Sequence, residues 1–194
     1  MGESVAVKYL IIGGGAAGAN GAVGIRDVDA EGSVLLVGQE TWWPYDRPPL
    51  SKGMLRGTIE PADAESKDPS WYEKHNVQVK RDVKALTLDP AKKTVSLSDG
   101  SEVTYEKLLL ATGSSPKKPN LKGVDLANVH LFRKIEDSLS VKESFGEGKS
   151  AVFVGAGYIG VEVAAVALNA FFNRTTTAQA ETDALLAAQA AEHI

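Results

Sequence analysis

The amino-acid sequence predicts an α/β fold with a mainly parallel sheet, and three observations support that prediction. Two short apolar segments, residues 5–12 and 151–154, each run directly into a Gly-x-Gly-x-x-Gly motif. Each motif is followed by a segment of small and apolar residues with helical spacing. Between the two copies, Asp99-Gly100 separates segments that alternate apolar and polar residues, which predicts an antiparallel hairpin inserted into the parallel frame.

The first βαβ unit is predicted at the amino-terminal end. Residues 5–12 are mostly apolar, which is typical of a parallel strand buried on both faces, and residues 13–18 form the tight turn after it. Small residues within 16–28 predict a helix that packs closely on a sheet, and residues 33–37 predict the second strand. The crossover between the two strands is expected to be right-handed, as in nearly all known units of this kind.

The middle of the chain predicts a long loop followed by the hairpin. Residues 41–69 contain five prolines, and loops of this length are usually functional or disordered. The elements expected after this loop are a helix at 70–75, strands at 77–80, 94–98 and 102–105, an apolar strand at 107–111 and a helix near 135–144.

The second glycine motif begins a repeat of the opening arrangement. Residues 151–154 predict a strand and residues 161–168 a helix, but the next strand of a βαβ unit does not follow. Residues 173–194 are instead rich in alanine and predict an exposed or fraying helix.

Composition and charge exclude several classes of function. The chain has 21 Lys+Arg against 25 Asp+Glu, and this formal net charge of −4 gives no electrostatic reason to bind nucleic acid or an anionic lipid surface. It contains no cysteine, which excludes a disulfide, a thiolate nucleophile and a Cys-ligated metal centre, and its histidines lack metal-ligand spacing. No apolar stretch approaches the roughly 20 residues that cross a bilayer, and no signal peptide opens the sequence, so the predicted location is the cytoplasm.

The two glycine motifs predict sites for the diphosphate of a dinucleotide. The first glycine permits a tight turn, the second lets a ligand approach the backbone, and the third lets helix and strand pack closely. The N–H groups at the start of the following helix then favour a negatively charged ligand. The alternative is a purely structural turn, but the apolar strand before each motif and the helix after it favour nucleotide binding.

Several sequence strings together resemble the FAD-dependent pyridine-nucleotide oxidoreductases, and within them the branch of ferredoxin reductases and apoptosis-inducing factor. Besides the two motifs, they are Pro-Tyr-Asp-Arg-Pro-Pro-Leu-Ser-Lys at 44–52, Leu-Ala-Thr-Gly at 110–113 and Gly-Tyr-Ile-Gly-Val-Glu-Val-Ala at 157–164. The resemblance covers residues 5–168. It implies a Rossmann-like FAD-binding domain at 1–149, the first strand and helix of a Rossmann-like NAD(P)-binding domain at 150–172, and an atypical tail at 173–194.

The resemblance also implies which residues hold the cofactors, because in that family the first motif binds the FAD diphosphate and the second opens the NAD(P)H domain. The residues that would contact FAD are Gly13, Gly15, Ala17 and Gly18 at the diphosphate, Arg47 and Lys52 along the flavin, Val83 at the adenine, and Ala111, Thr112, Gly113 and Arg133 closing over the cofactor. The residues that would contact NAD(P)H are Gly155, Gly157, Ile159 and Gly160.

Lys52 and Glu162 are the catalytic residues that the resemblance implies. Lys52 is similar to the family lysine that pairs with the glutamate of the second motif, here Glu162, beside the flavin N5. A fixed cation and carboxylate at a hydride-transfer site orient the flavin and the nicotinamide and tune the charge of the reduced flavin. The alternative is a surface lysine and a solvated helical glutamate.

One position departs from the family pattern. Where the family has a carboxylate at the end of the second strand for the adenosine ribose, this sequence has Gln39, with Glu40 next to it. Glu40 is expected to bind the ribose after a one-residue shift. Without that shift, the affinity for FAD is expected to fall.

The implied function is that of an NAD(P)H-dependent flavoprotein reductase. Hydride would pass from the nicotinamide to FAD, and electrons would go on to a ferredoxin-like protein, a quinone or a dye. Family members continue with segments that are not within these 194 residues, so two alternatives stay open. One is a truncated, non-catalytic nucleotide-binding or interaction module, and the other is a homo-oligomer in which partner chains restore the active site.

Overall fold

The computed structural model describes residues 4–146, 148–155 and 157–171. The chain divides into two compact units. The first contains the described residues up to Arg47 together with Pro61–Ser115, and the second contains Pro48–Glu60 together with the described residues from Pro116 onward. The domain boundary near residue 149 stays a prediction.

Helices and strands alternate along the first part of the chain, as in an α/β protein. The strands are β1 (Ser4–Ile12), β2 (Val34–Val37), β3 (Val77–Lys80), β4 (Ala85–Asp89), β5 (Thr94–Leu97) and β6 (Glu102–Leu110). The helices are α1 (Ala16–Val28), α2 (Gly53–Arg56), α3 (Pro69–Lys74), α4 (Ile135–Glu143) and α5 (Tyr158–Phe171), with 3-10 turns at Pro48–Ser51 and Pro61–Ala64.

The first unit is built on one six-stranded sheet with the order β3-β2-β1-β6-β5-β4. β1 pairs in parallel with β2 and β6, and β2 pairs in parallel with β3, whereas β4, β5 and β6 form an antiparallel meander. The carboxyl ends of β1, β2, β3 and β6 therefore meet at one edge of the sheet. The predicted α/β fold with an inserted antiparallel hairpin is confirmed.

Side chains along β1 alternate between two apolar clusters, one on each face of the sheet. Leu10 and Ile12 pack with residues of β2, β5 and β6, while Ile11 packs on the other face with Leu36 and with Ala22 of α1. Burial on both faces explains why the second half of the strand is mostly apolar, as expected for a parallel sheet covered on both sides.

The second unit has an apolar cluster of its own, to which α2, α4 and α5 contribute. Leu55, Val141, Val163 and Val166 are its buried members, and Phe132 and Phe145 pack against them. The spacing of Val163 and Val166 is that of one helical face, so α5 is held by a single apolar stripe. Within the described ranges, no helix combines the length and the hydropathy that crossing a membrane requires.

The second arm of the predicted hairpin, at 102–105, and the predicted strand at 107–111 belong to a single strand, β6, which ends at Leu110. Its first half pairs with β5, and its whole length pairs with β1. Although this segment is apolar, Leu109 is 38% exposed and Leu110 is 58% exposed. β4 was not expected, and in the structure its Leu86 is 59% exposed and its Leu88 38% exposed.

The predicted strand at 151–154 does not form in the structure. Val152 is 90% exposed and Val154 is 82% exposed, and an isolated strand without a neighbour has no partner for its backbone groups. The helix after the second motif is present and longer than predicted, since α5 begins at Tyr158. The prediction for residues 173–194 lies outside the described residues.

Candidate functional site

The first candidate site lies where the parallel strands of the first unit end. The Gly13 N–H donates to Val37 O at 2.8 Å, and the Ala111 N–H donates to Ile12 O at 2.8 Å. These bonds hold together the loops that follow β1, β2 and β6. This edge is the position at which open α/β sheets bind ligands.

Gly13 and Gly18 are required by the packing of the protein itself. Gly13 has a φ of +130°, and a Cβ there would lie 2.0 Å from Ala111 O. A Cβ on Gly18 would lie 1.9 Å from Gly13 O. Because both obstructing atoms belong to the backbone, no side-chain movement could relieve the overlap. The first and third glycines therefore close the turn and seat α1 against it.

Gly15 faces open space instead. A Cβ on Gly15 would meet nothing within 4 Å in the described part of the chain, and its φ of −112° is accessible to any residue. Gly15 is also the N-cap of α1, whose first turn contains no acidic side chain, and no side chain of the described residues caps it. Ala17, in that first turn, is exposed. This arrangement leaves room for an anion at the start of α1.

Glu40 and Arg47 form an ion pair in the first unit. Arg47 Nη2 lies 2.7 Å from Glu40 Oε1, and the Tyr45 hydroxyl donates to Glu40 Oε2 at 2.5 Å. Tyr45 is only 1% exposed, and the Arg47 guanidinium lies 4.5 Å from the centre of its ring. Glu40 and Arg47 were expected to contact different parts of FAD, whereas the structure joins them through the buried Tyr45.

The loops after β2 and β3 are also joined by backbone hydrogen bonds. The Val83 N–H donates to Gly38 O, and the Asp82 N–H donates to Glu40 O, both at 3.0 Å. The Val83 N–H is thus engaged within the protein, and a contact between the Val83 backbone and the adenine stays a prediction. These bonds also fix the backbone of Glu40 relative to the sheet.

The remaining residues predicted to contact FAD belong to different units. Thr112 and Gly113 are exposed at the end of β6 in the first unit, where Gly113 has a φ of +66°. Arg133 belongs to the second unit, and its backbone N–H donates to Asp137 Oδ2 at 2.7 Å, at the start of α4. That their side chains contact FAD stays a prediction.

Lys52 and Glu162 come together in the second unit. Lys52 follows the turn Pro48–Ser51, and Glu162 lies near the start of α5. Lys52 Nζ is 3.5 Å from Glu162 Oε1, and the two side chains are 53% and 32% exposed. The structure thus forms the pair that the sequence analysis expects, while its catalytic role stays a prediction.

Ser51 is the second partner of the Glu162 carboxylate. The Ser51 hydroxyl donates to Glu162 Oε2 at 2.5 Å. This hydrogen bond lowers the pKa of Glu162 below its ordinary value, and the nearby charges of Lys52 and Arg56 act in the same direction, while partial desolvation opposes them. Glu162 is therefore held as a carboxylate with a separate partner for each oxygen.

The second glycine motif repeats the geometry of the first. Gly155 has a φ of +118°, and a Cβ on Gly160 would lie 2.3 Å from Gly155 O. A Cβ on Gly157 would meet no described atom within 4 Å. Ile159 is 48% exposed, so its side chain is available to a ligand.

Tyr45 and Ser51 are the functional-site residues that sequence reasoning missed. Both belong to the string at residues 44–52 on which the resemblance rests. Their position in that string was the available signal. Their partners could not be read from it, because Glu162 is distant in sequence from Ser51.

Comparison with known proteins identifies the relatives of this chain. It is 40% identical over 158 residues to the probable ferredoxin reductase CtmF of Castellaniella defragrans, an alignment that covers 81% of this chain and 39% of that protein. It is 35% identical over 162 residues to a rubredoxin-NAD(+) reductase of Pseudomonas putida, with coverage of 84% and 42%. The chain thus spans about 40% of the length of these relatives.

A solved structure and a family model agree with these relatives. The crystal structure of the covalent putidaredoxin reductase-putidaredoxin complex contains a chain with 32% identity and a TM-score of 0.77, covering 85% of this chain and 40% of that one. The model of the pyridine nucleotide-disulphide oxidoreductases matches residues 7–193. The chain belongs to the pyridine nucleotide-disulphide oxidoreductase family.

Proposed function

We propose that this chain supplies the FAD-binding region, and the first part of the NAD(P)H-binding region, of a flavoprotein reductase that passes electrons from NAD(P)H to a ferredoxin-like protein. The observation that carries this proposal is the unequal environment of the glycines in the first motif. Packing requires Gly13 and Gly18, whereas Gly15 borders empty space at the start of a helix.

The residues around Gly15 fit the diphosphate of FAD. A side chain at this position would fill the space that a phosphate needs, which gives glycine a reason that protein packing does not supply. The exposed start of α1, without an acidic side chain in its first turn, favours an anion. The turn from Gly13 to Gly18, with Ala17, would therefore hold the diphosphate.

Other residues of the chain would hold the rest of the cofactor. Glu40 would bind the adenosine ribose, with Arg47 and Tyr45 fixing its carboxylate. The Val83 carbonyl would face the adenine, and the remaining contacts would come from Lys52, Ala111, Thr112, Gly113 and Arg133. When bound, FAD supplies the capacity to accept a hydride from NAD(P)H and to release electrons one at a time or in pairs.

Lys52 and Glu162 would act where hydride transfer takes place. Their opposite charges, 3.5 Å apart, form a dipole that can orient a nicotinamide and compensate negative charge on a reduced flavin. The second motif, with Gly155, Gly157, Ile159 and Gly160, would contact NAD(P)H. Its open Gly157 supports that assignment for the same reason as Gly15 does in the first motif.

The names of the relatives support a protein electron acceptor. They include a probable ferredoxin reductase, a rubredoxin-NAD(+) reductase and a reductase crystallised in covalent complex with putidaredoxin. We therefore favour a small ferredoxin-like protein over a quinone or dye. A cytoplasmic location and a homo-oligomeric state stay predictions, which cell fractionation and size-exclusion chromatography would test.

A visible absorption spectrum and a calorimetric titration with FAD test the proposal. The purified chain should be yellow or should bind added FAD with measurable heat, and Gly15→Ala should weaken that binding by about tenfold or more while the circular dichroism spectrum is unchanged. Well-folded wild-type protein that is colourless and takes up no FAD would overturn the proposal. Bound flavin that NADH fails to reduce anaerobically would favour the non-catalytic nucleotide-binding module.

A further inference from the structure

We propose that Ser51 is a positioning residue for Glu162: its hydroxyl holds one carboxylate oxygen so that the other faces Lys52. The inference rests on the proposed function, because it concerns the pair that we assign to hydride transfer. It adds a residue to that site and explains how a partly exposed carboxylate is kept in one orientation.

The geometry divides the two oxygens of Glu162 between two partners. Ser51 Oγ donates to Oε2 at 2.5 Å, and Lys52 Nζ lies 3.5 Å from Oε1. A hydrogen bond to one oxygen restricts the rotation of the carboxylate about the Cγ–Cδ bond. The hydrogen bond from Ser51 therefore selects the orientation in which Oε1 is presented to Lys52.

Lys52 cannot impose this orientation alone. Its side chain is 53% exposed, and a long exposed lysine loses rotamer freedom on pairing while water screens the attraction. Ser51 is only 4% exposed and has a single side-chain torsion to fix. Ser51 is thus the rigid partner of Glu162, and Lys52 is the flexible one.

The backbone of Ser51 is itself anchored by α4. The hydroxyl of Ser138, a fully buried residue, donates to Leu50 O at 2.8 Å. The Lys52 N–H donates to Pro49 O at 3.1 Å, which closes the turn that carries Ser51. The donor to Glu162 is therefore held by a turn fixed on both sides.

The charge around Glu162 is consistent with this role. The groups that act on it are the Ser51 hydroxyl and the cations Lys52 and Arg56, and together they favour the ionised carboxylate. A hydrogen bond to the ionised form stabilises that form specifically. Removing the hydroxyl should therefore raise the pKa of Glu162 and leave its carboxylate less well oriented.

The test is a carbon-13 NMR titration of glutamate carboxyl groups in the purified chain, with the Glu162 signal assigned by Glu162→Gln. Ser51→Ala should raise the pKa of Glu162 by about half a unit or more, and Ser51→Thr, which keeps the hydroxyl, should leave it near the wild-type value. If Ser51→Ala does not fold, Ser51→Cys replaces it, since a thiol of similar size is a weak donor and should also raise the pKa.

Ser101→Ala is the matched control. Ser101 is 3% exposed and donates to a carboxylate of its own, Asp99 Oδ1 at 2.6 Å, in the other unit. Its loss should leave the Glu162 titration unchanged. An unchanged pKa of Glu162 in folded Ser51→Ala or Ser51→Cys, or a Thr variant that behaves like the Ala variant, would overturn the proposal.

The titration needs no cofactor, so it separates this inference from the proposed function. Failure of the chain to bind FAD would end the reductase proposal while leaving the orientation of Glu162 by Ser51 measurable. Where FAD binds and NADH reduces it, Ser51→Ala should slow the reduction several-fold at unchanged FAD affinity, and Ser51→Thr should restore the rate. Equal rates in wild type and Ser51→Ala would remove Ser51 from the hydride-transfer site.

Discussion

Lys52 Nζ lies 3.5 Å from Glu162 Oε1, although the two residues come from a proline-rich loop and from the helix after the second glycine motif. Both belong to the second unit, in which the turn Pro48–Ser51 and α5 lie beside each other. The pair is more exposed than a structural ion pair of a protein core. Exposed ion pairs contribute little to folding stability. A functional role for this contact is therefore the hypothesis to test.

Lys52→Ala should slow the anaerobic reduction of bound FAD by NADH by at least about tenfold, because it removes a cation from the proposed hydride-transfer site. The affinity for FAD, measured by calorimetry, should change by less than about threefold, since an exposed ammonium contributes little binding energy. Lys92→Ala, at a lysine that is 78% exposed and pairs with Asp89, is the control and should change neither quantity. Equal losses of rate and affinity would contradict the catalytic pairing.

Gly13→Ala should destabilise the first unit by about 3 kcal/mol or more, because its methyl group would overlap the carbonyl oxygen of Ala111 at a positive φ. Gly24→Ala is the matched variant: Gly24 lies within α1, and a Cβ there meets nothing within 4 Å in the described ranges. It should stabilise the protein by roughly 0.5–1 kcal/mol through its higher helix propensity. Urea denaturation measures the free energy of unfolding of the two variants. Changes of the same sign in both variants would contradict this account of the turn.

Two buried tyrosines of the first unit should respond oppositely to loss of the hydroxyl. Tyr72 is 1% exposed, its hydroxyl has no hydrogen-bond partner among the described residues, and burial raises its pKa. Tyr72→Phe should therefore raise the free energy of unfolding by about 1 kcal/mol. Tyr45→Phe removes hydrogen bonds with the charged side chains of Glu40 and Arg47 and should lower it by roughly 1.5–3 kcal/mol. Similar losses in both variants, measured by chemical denaturation, would count against the assigned contacts.

Asp29 should make the stability of the first unit depend on pH. Its carboxylate accepts hydrogen bonds from Lys8, from the Gly32 N–H and from the Tyr9 hydroxyl, and these lower its pKa below the ordinary value. Since the pKa is lower in the folded than in the unfolded chain, the contribution is complete above about pH 4 and is lost as the pH falls through the folded-state pKa.

Asp29→Asn should therefore destabilise the protein at pH 7, and the difference from wild type should narrow as the pH is lowered below about 4. Denaturation midpoints over this pH range provide the measurement. Asp27→Asn removes the same charge at an exposed position in α1, two residues before Asp29, and serves as the control, which should destabilise the protein at pH 7 less than Asp29→Asn does. A difference between Asp29→Asn and wild type that is constant with pH would rule out this linkage.

Much of the fold could be predicted because its signals are local. The apolar run of β1, the turn after it and the small residues of α1 each follow from spacing within a few residues, and the structure confirms all three. β4 was missed although Leu86 and Leu88 alternate with Thr87, because so short an alternation forms a strand only when it pairs with β5. Residues 151–154 are apolar but form no strand, since no strand of the described residues pairs with them.

Sequence alone determined the positions of the two glycine motifs, the parallel α/β class and the exclusion of cysteine chemistry. Tertiary structure decided which glycines the protein itself requires and which one borders open space, because that distinction depends on where Ala111 and other distant backbone atoms lie. It also decided that Ser51 and Lys52 divide one carboxylate between them. Periodicity and turn preferences act over a few neighbouring residues, whereas a side-chain partner exists only after distant elements have packed together.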